Sequence, residues 1–192
     1  MELKNKKIGF VITGSFHSFK IVIPLIKQLL NKNVTVIPIM SFNSYSLDTK
    51  YGKSKDFINK IEKITGNNVI HKIQEAETIG QKKLTDLMII CPCSENTISK
   101  LAFDIIDTPA TVAVRSHLRN NLPVVIAPSS INGLSSNALS IATLLNRKNY
   151  FFVPFGQDNP ITKPYSINFD FDFVIKTIEY AFDNEQIQPI LR

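Results

Sequence analysis

The stretch LMIICPCSENTISKLA, residues 87–102, changes character at Pro92. Leu87, Met88, Ile89 and Ile90 form an apolar run without alternation, the pattern of a strand covered on both faces. The run stops at a proline, and Ser94, Glu95, Asn96 and Thr97 follow before Ile98 and Leu101 resume at helical spacing. A buried strand that feeds a helix through polar side chains is one half of a βα unit. In such units the carboxyl end of the strand is where a ligand is held.

The same pattern recurs along the chain. Ile8–Ile12, Val34–Ile39 and Val124–Ile126 read as further buried strands, and Tyr150–Val153 as a last one. Between them lie helical stripes. Ile21, Leu25, Ile26, Leu29 and Leu30 make one, and Phe57, Ile58, Ile61 and Ile64 make another that closes at Gly66. Thr108-Pro109 reads as an N-cap and first-turn proline opening a helix toward Arg119. Residues 135–146 and 171–182 complete the helices. Strands alternating with helices predict an α/β fold with a doubly wound parallel sheet. The segment FGQDNPITKPY, residues 155–165, carries turn residues and reads as an ordered loop or flap.

The chain has 192 residues and 44% apolar content, enough for one domain with a full core, so residues 1–192 are expected to form a single unit. No apolar run reaches the roughly 18–20 residues of a membrane helix, and the charged lead MELKNKK passes directly into a strand. A cytoplasmic protein is the expectation, with no membrane association. Cys91 and Cys93, one residue apart, suit buried reduced thiols rather than a disulfide or a metal cage. The net charge of +6 is spread over lysines interrupted by Asp56 and Glu62, without an interleaved aromatic motif. That distribution argues against nucleic acid and for an anionic small molecule or an acidic partner.

The residues just after each strand are therefore the candidate site. Gly14 permits a tight turn, Ser15 offers a hydroxyl, and the following helix presents free amides, together a plausible phosphate cradle. A dinucleotide fingerprint would need glycines where Phe16 and Phe19 stand, and no P-loop occurs. Ser41 ends the second strand, and Ser129, Ser130 and Asn132 follow the Val124 run. Each could equally cap a helix, Ser94 above all. Their coincidence at one edge of the sheet favours a pocket for a phosphorylated, hydrogen-bonding ring.

PCSENT, residues 92–97, resembles the P-A-S-A-N-T signature of the homo-oligomeric flavin-containing cysteine decarboxylase (flavoprotein) superfamily, with Cys93 and Glu95 in place of two alanines. KIGFVITGS, DTKYGK, KIEKITG, LRNNLPVVIA, NGLSSNA, FVPFGQDNP and QIQPIL together resemble one branch of it, the dipicolinate synthase B subunits. The resemblance implies a Rossmann-like fold and FMN laid across the strand ends. By matching position it makes Gly14, Ser15, Ser41, Ser94, Asn96 and Thr97 the cofactor-binding residues. It also implies sporulation, the mother cell of a spore-forming bacterium, and oxidation of dihydrodipicolinate to dipicolinate with a dehydrogenase-like A subunit that uses NADP. A homo- or hetero-oligomer and a small dicarboxylate substrate belong to the same expectation.

Departures from the superfamily pattern are equally definite. The segment before the signature, EAETIGQKKLTD, lacks the decarboxylases' histidine, and His71 lies too far upstream. Their P-x-M-N-x-x-M motif is replaced by PSSINGL, in which Asn132 matches loosely. No catalytic residue is assigned, since His17 and His117 have no carboxylate at readable spacing. Cys93 and Glu95 could fill the flavin space or add charge beside it. Lys20, Lys100, Arg115 and Arg119 are cations in the right segments that exposure alone explains. Residues 48–52 and 155–159 suit a flap or a partner contact, with Tyr45, Tyr51 and Phe155 as interface anchors or core. A stand-alone FMN-dependent decarboxylase or flavin-modifying enzyme, and a non-catalytic stabilising subunit, are the alternatives.

Overall fold

Every apolar run enters one seven-stranded sheet. The computed structural model describes residues 2–192. In it β1 (Lys7–Ile12), β2 (Thr35–Met40), β3 (Leu87–Ser94), β4 (Val124–Ser130) and β5 (Tyr150–Phe152) pair in parallel. β6 (Phe155–Asn159) and β7 (Lys163–Phe169) form an antiparallel hairpin. The order is β2-β1-β3-β4-β7-β6, with β5 also against β4. β4 is thus shared: Val124–Ile126 pair with β5, while Ser129 and Ser130 pair with β7. That division brings the hairpin to the carboxyl end of the sheet. The parallel expectation therefore holds for the centre, and the expectation of a loop over residues 155–165 is corrected to two strands and their turn.

Near-continuous apolar strands arise because both faces are covered. Ile8, Phe10 and Ile12 of β1 and Ile89 and Cys91 of β3 face a core built with α1 (Phe19–Asn31), α3 (Ser54–Thr65) and α8 (Val174–Phe182). Val11, Met88, Ile90 and Cys93 face the other core, with α4 (Ile73–Gln81), α5 (Glu95–Ala102), α6 (Pro109–Leu118) and α7 (Ala138–Leu145). Each fully buried aliphatic side chain contributes about 1.5–3 kcal/mol by leaving water. Both cysteines are reduced and buried. A short helix, α2 (Phe42–Ser46), follows β2.

Helix ends follow local chemistry. Gly66 ends α3 at φ 68°, donating its amide to Glu62 O, the left-handed stop that favours glycine. Thr108 and Thr111 form a reciprocal capping box at the start of α6. The helix expected over 135–146 begins only at Ala138, and that expected over 171–182 is preceded by a 3₁₀ turn at Phe171–Phe173. α4 lies outside the expectation although Ile73, Ala76 and Ile79 share a face. Its Gly80 lets it approach α6: the Gly80 amide donates to Ser116 Oγ at 2.9 Å, and Ser116 Oγ donates to Glu77 O at 2.7 Å.

His117, on α6, is buried as a packing residue. Its Nε2 lies 3.1 Å from Pro123 O, which can only accept, so Nε2 carries a proton, and its Nδ1 lies 2.8 Å from Thr85 Oγ1, whose hydroxyl donates to it in the neutral ring. Burial holds its pKa below the ordinary 6.5, against an opposing push from the Pro123 carbonyl and Asp86. The unfolded chain therefore binds the proton first as pH falls. Stability from this group is complete above the unfolded pKa and is lost as pH drops below about 6.5 toward the lower folded value. Urea melts between pH 7.5 and 5.5 are expected to show that decline. It should flatten in His117→Gln, and an equal slope in the variant would assign the dependence elsewhere.

Candidate functional site

The carboxyl ends of β1, β3 and β4 open into a cleft of 790 Å³, within the roughly 300–1,000 Å³ of small-molecule and cofactor sites. Its construction begins with Thr13, fully buried just beyond β1. β1–β3 pairing ends at Val11 and Ile90, because Pro92 has no amide to donate. The Thr13 hydroxyl continues the connection: it donates to Pro92 O and accepts the Ser94 amide, both at 2.8 Å. The β3–β4 register shifts over the same residues, from Ile90 opposite Ile126 to Cys93 opposite Pro128. Together these turn the Ser94–Thr97 segment onto the cleft.

All six residues singled out from the sequence line this cleft: Gly14, Ser15, Ser41, Ser94, Asn96 and Thr97. Their hydrogen bonds differ. Ser15 Oγ donates to Ser129 O at 3.3 Å. Ser41 caps α2, accepting the Ser44 amide at 3.4 Å and meeting Ser44 Oγ at 3.0 Å. Ser94 occupies the N-cap position of α5 yet makes no side-chain cap bond; its hydroxyl meets Thr97 Oγ1 at 3.2 Å. Asn96 is exposed at the rim. The tight turn expected at Gly14 is present, the Ser15 amide donating to Thr13 O at 2.8 Å, and it forms without a left-handed φ at the glycine. A Cβ there would meet only Asn43 Cβ and the Phe16 ring, each at 3.8 Å, and would project into otherwise open space.

The two departures from the signature have separate places. Cys93 packs into the core and is absent from the cleft wall. Glu95 lines the cleft, but one carboxylate oxygen accepts from Ser130 Oγ and Asn132 Nδ2, both at 3.2 Å. Its charge is thereby held toward the end of β4. The other acids of the cleft are ion-paired: Asp107 with Lys100 at 2.7 Å and Asp158 with Lys163 at 2.7 Å. The Lys163 contact is the main reason the Asp158 carboxyl lies below its usual range. His17 reaches Ser129 Oγ at 3.5 Å. Partial burial lowers its pKa, with Asp158 opposing and Lys163 and Lys20 adding to the effect.

Ser129 and Ser130, expected with the polar strand ends, also line the cleft, as do His17, Asp158, Lys163, Ser166 and Asn168, which the sequence does not single out as cofactor-binding. Ser129 and Ser130 are readable as polar strand-end residues. The hairpin residues carry no local signal, since only the pairing of β7 with β4 brings them there. Arg115 pairs with Asp104 outside the cleft, and Arg119 is exposed beyond it. Phe155 is core at 4% exposure, Tyr45 stacks on His71 at 3.8 Å, and Tyr51 is exposed on the cleft wall. Among the described residues no cluster of metal-ligating side chains occurs and no helix is long and apolar enough to cross a membrane.

A mostly parallel α/β sheet with a polar cleft across its strand ends has the Rossmann-like form of the flavoproteins, and the sequence profile of the Flavoprotein family matches residues 1–162. The chain is 41% identical over 189 residues to the dipicolinate synthase B subunit of Bacillus subtilis (strain 168), covering 98% of this chain and 94% of that relative. It belongs to the Flavoprotein family, in the branch of the dipicolinate synthase B subunits. The crystal structure of the dipicolinate synthase B subunit from Bacillus halodurans C superposes with a TM-score of 0.91 at 36% identity, over 100% of this chain and 98% of that one. The FMN-dependent cysteine decarboxylase SpaF shares the fold, with a TM-score of 0.71 at 19% identity over 95% of this chain and 98% of that one.

Proposed function

We propose that this chain is the flavin-holding B subunit of a dipicolinate synthase. In this reading it acts with a dehydrogenase-like A subunit, which uses NADP, to oxidise dihydrodipicolinate to dipicolinate during sporulation in the mother cell. The observation that carries the reading is the near full-length similarity to a dipicolinate synthase B subunit. The cleft's donor set supports FMN as the occupant. Gly14 leaves open space where a Cβ would intrude, suited to close approach of a phosphate. Ser15 offers a hydroxyl beside it, and the α5 amides lack a side-chain cap. Asn96 carries both a donor and an acceptor for a ring edge or a substrate carboxylate. Ser41, Ser94 and Thr97 complete the hydroxyl lining.

Flavin, when bound, supplies a reversible acceptor of hydride or of single electrons. The chain's own residues bind and orient. Ser94 and Thr97 are held to each other, Ser94 is fixed through Thr13, and Glu95 is restrained by Ser130 and Asn132, so little rearrangement accompanies binding. Lys163 and Lys100, each already paired with an aspartate, keep the cleft wall near neutral rather than strongly basic.

The deciding assay follows dipicolinate by its ultraviolet absorbance, from freshly generated dihydrodipicolinate and NADP+ with the A subunit, with and without this chain and with and without FMN. Product only when both proteins are present is the expected result. An A subunit equally active alone would remove the functional content of the assignment. FMN titration of the isolated chain, read by flavin fluorescence, should be saturable. In Gly14→Val affinity should fall about tenfold or more, the loss of roughly 1.4 kcal/mol, with little change in melting temperature. Unaltered affinity would move the phosphate elsewhere.

A further inference from the structure

A second groove of 870 Å³ runs behind the cofactor cleft, between the start of α1, the 47–54 loop, α3 and the end of β7. It shares Phe16, His17, Tyr51, Asp158 and Asn168 with the first cleft, so these residues form a common ridge. Two features distinguish its walls. The first is aromatic: Phe19 stacks on Phe57 with ring centroids 4.6 Å apart, Phe16 lies 5.1 Å from Phe19, and Tyr51 remains 56% exposed. Leu47, on the same wall, is 47% exposed. Phe19 and Phe57 are partly buried against the core and form the floor, while Tyr51 and Leu47 supply the exposed apolar surface, which inside a concavity marks a binding site.

The second feature is charge. Lys20, Lys53 and Lys60 all line the groove. None of them has a carboxylate partner within ion-pair distance among the described residues. The single acid on the walls, Asp158, is already bonded to Lys163 at 2.7 Å. Flat apolar walls with three unpaired ammonium groups match a flat ring bearing negative charge, since the ring replaces water on the aromatic faces and the charge meets the lysines.

We propose that this groove is a second small-molecule site, for an aromatic or dihydroaromatic carboxylate, set edge to edge with the cofactor cleft across the ridge of Phe16, His17 and Tyr51. The inference deepens the functional reading, because a ring dicarboxylate is the substrate class that reading assigns. The site itself rests on the groove's own walls and not on flavin.

The test uses the full chain, isotope-labelled, with pyridine-2,6-dicarboxylate as probe and acetate as the comparison anion, followed by nuclear magnetic resonance without FMN and again with FMN in excess. Saturable shifts at Lys53, Tyr51 and Phe57, present in both conditions and absent with acetate, are expected. The double variant Lys53→Gln/Lys60→Gln, altered only at exposed side chains, should bind the probe about tenfold more weakly, with its FMN affinity unchanged. The proposal is overturned if no saturable shift appears up to about 10 mM probe, beyond the range of a useful site. It is overturned equally if FMN displaces the probe, if acetate gives the same shifts, or if the double variant binds as well as the parent chain. Failure of FMN to bind would count against the flavin reading alone, because the groove is also titrated without it.

Discussion

Thr13→Val should cost the protein about 2–5 kcal/mol and, with it, the shape of the strand-end cleft. Valine keeps the volume of threonine but not its hydroxyl, so packing is conserved while two hydrogen bonds vanish. The Pro92 carbonyl loses its 2.8 Å donor and the Ser94 amide its 2.8 Å acceptor. Each group left without a partner in a buried setting costs about 1–3 kcal/mol. Ser94 would then be freed from β1, and the turn onto α5 would lose its anchor. Equilibrium urea unfolding measures the first effect and FMN titration the second. Thr13→Ser, which retains the oxygen, should recover most of both. A valine variant as stable as the parent would mean that water replaces the hydroxyl and that Thr13 is not the hinge of the site.

A comparable loss, about 3 kcal/mol or more, is expected from Gly80→Ala in α4. In an isolated helix that substitution would stabilise by up to about 1 kcal/mol. Here the added carbon would overlap the Ser116 carbonyl oxygen and stand 2.5 Å from its carbon. These are backbone atoms of α6, which cannot swing aside as a side chain would. Relief requires the two helices to separate, breaking the Gly80 amide to Ser116 Oγ contact and the Asn120 Nδ2 to Gly80 O contact at 2.8 Å. Overpacking of this sort overwhelms helix propensity. Thermal unfolding should show a drop of roughly 6–12 °C for a chain of this size. A rise in melting temperature would show that α4 rides on α6 loosely enough to move.

The contrast between these two positions explains what the sequence discloses. Buried strands such as Ile8–Ile12 and Leu87–Ile90 are legible because burial on both faces leaves uninterrupted apolar runs. Gly66 and Thr108 are legible because helix ends obey local rules. The β6–β7 hairpin is not, since residues 157–165 stand mostly in solvent and carry no alternating pattern. Nor is the role of Gly80, which depends on a helix more than thirty residues later. The cleft divides the same way. Gly14, Ser15, Ser41, Ser94, Asn96 and Thr97 follow strand ends that can be located one at a time. Asp158, Lys163, Ser166 and Asn168 reach the cleft only through the antiparallel return beside β4. Glu95 is legible as an intrusive charge, but its restraint by Ser130 and Asn132 joins separate strand ends and shows only in three dimensions.

Both cysteines sit in β3, the middle of the sheet, where burial drives their thiol pKa values upward. A thiol-directed reagent in solution therefore meets neither a surface sulfur nor a thiolate until the centre of the molecule opens. The chain carries its own clock for that opening, since the rate of its modification reports how often the innermost strand is exposed. A cysteine introduced anywhere on the exterior would, for the same reason, be the sole attachment point for a probe in the native protein.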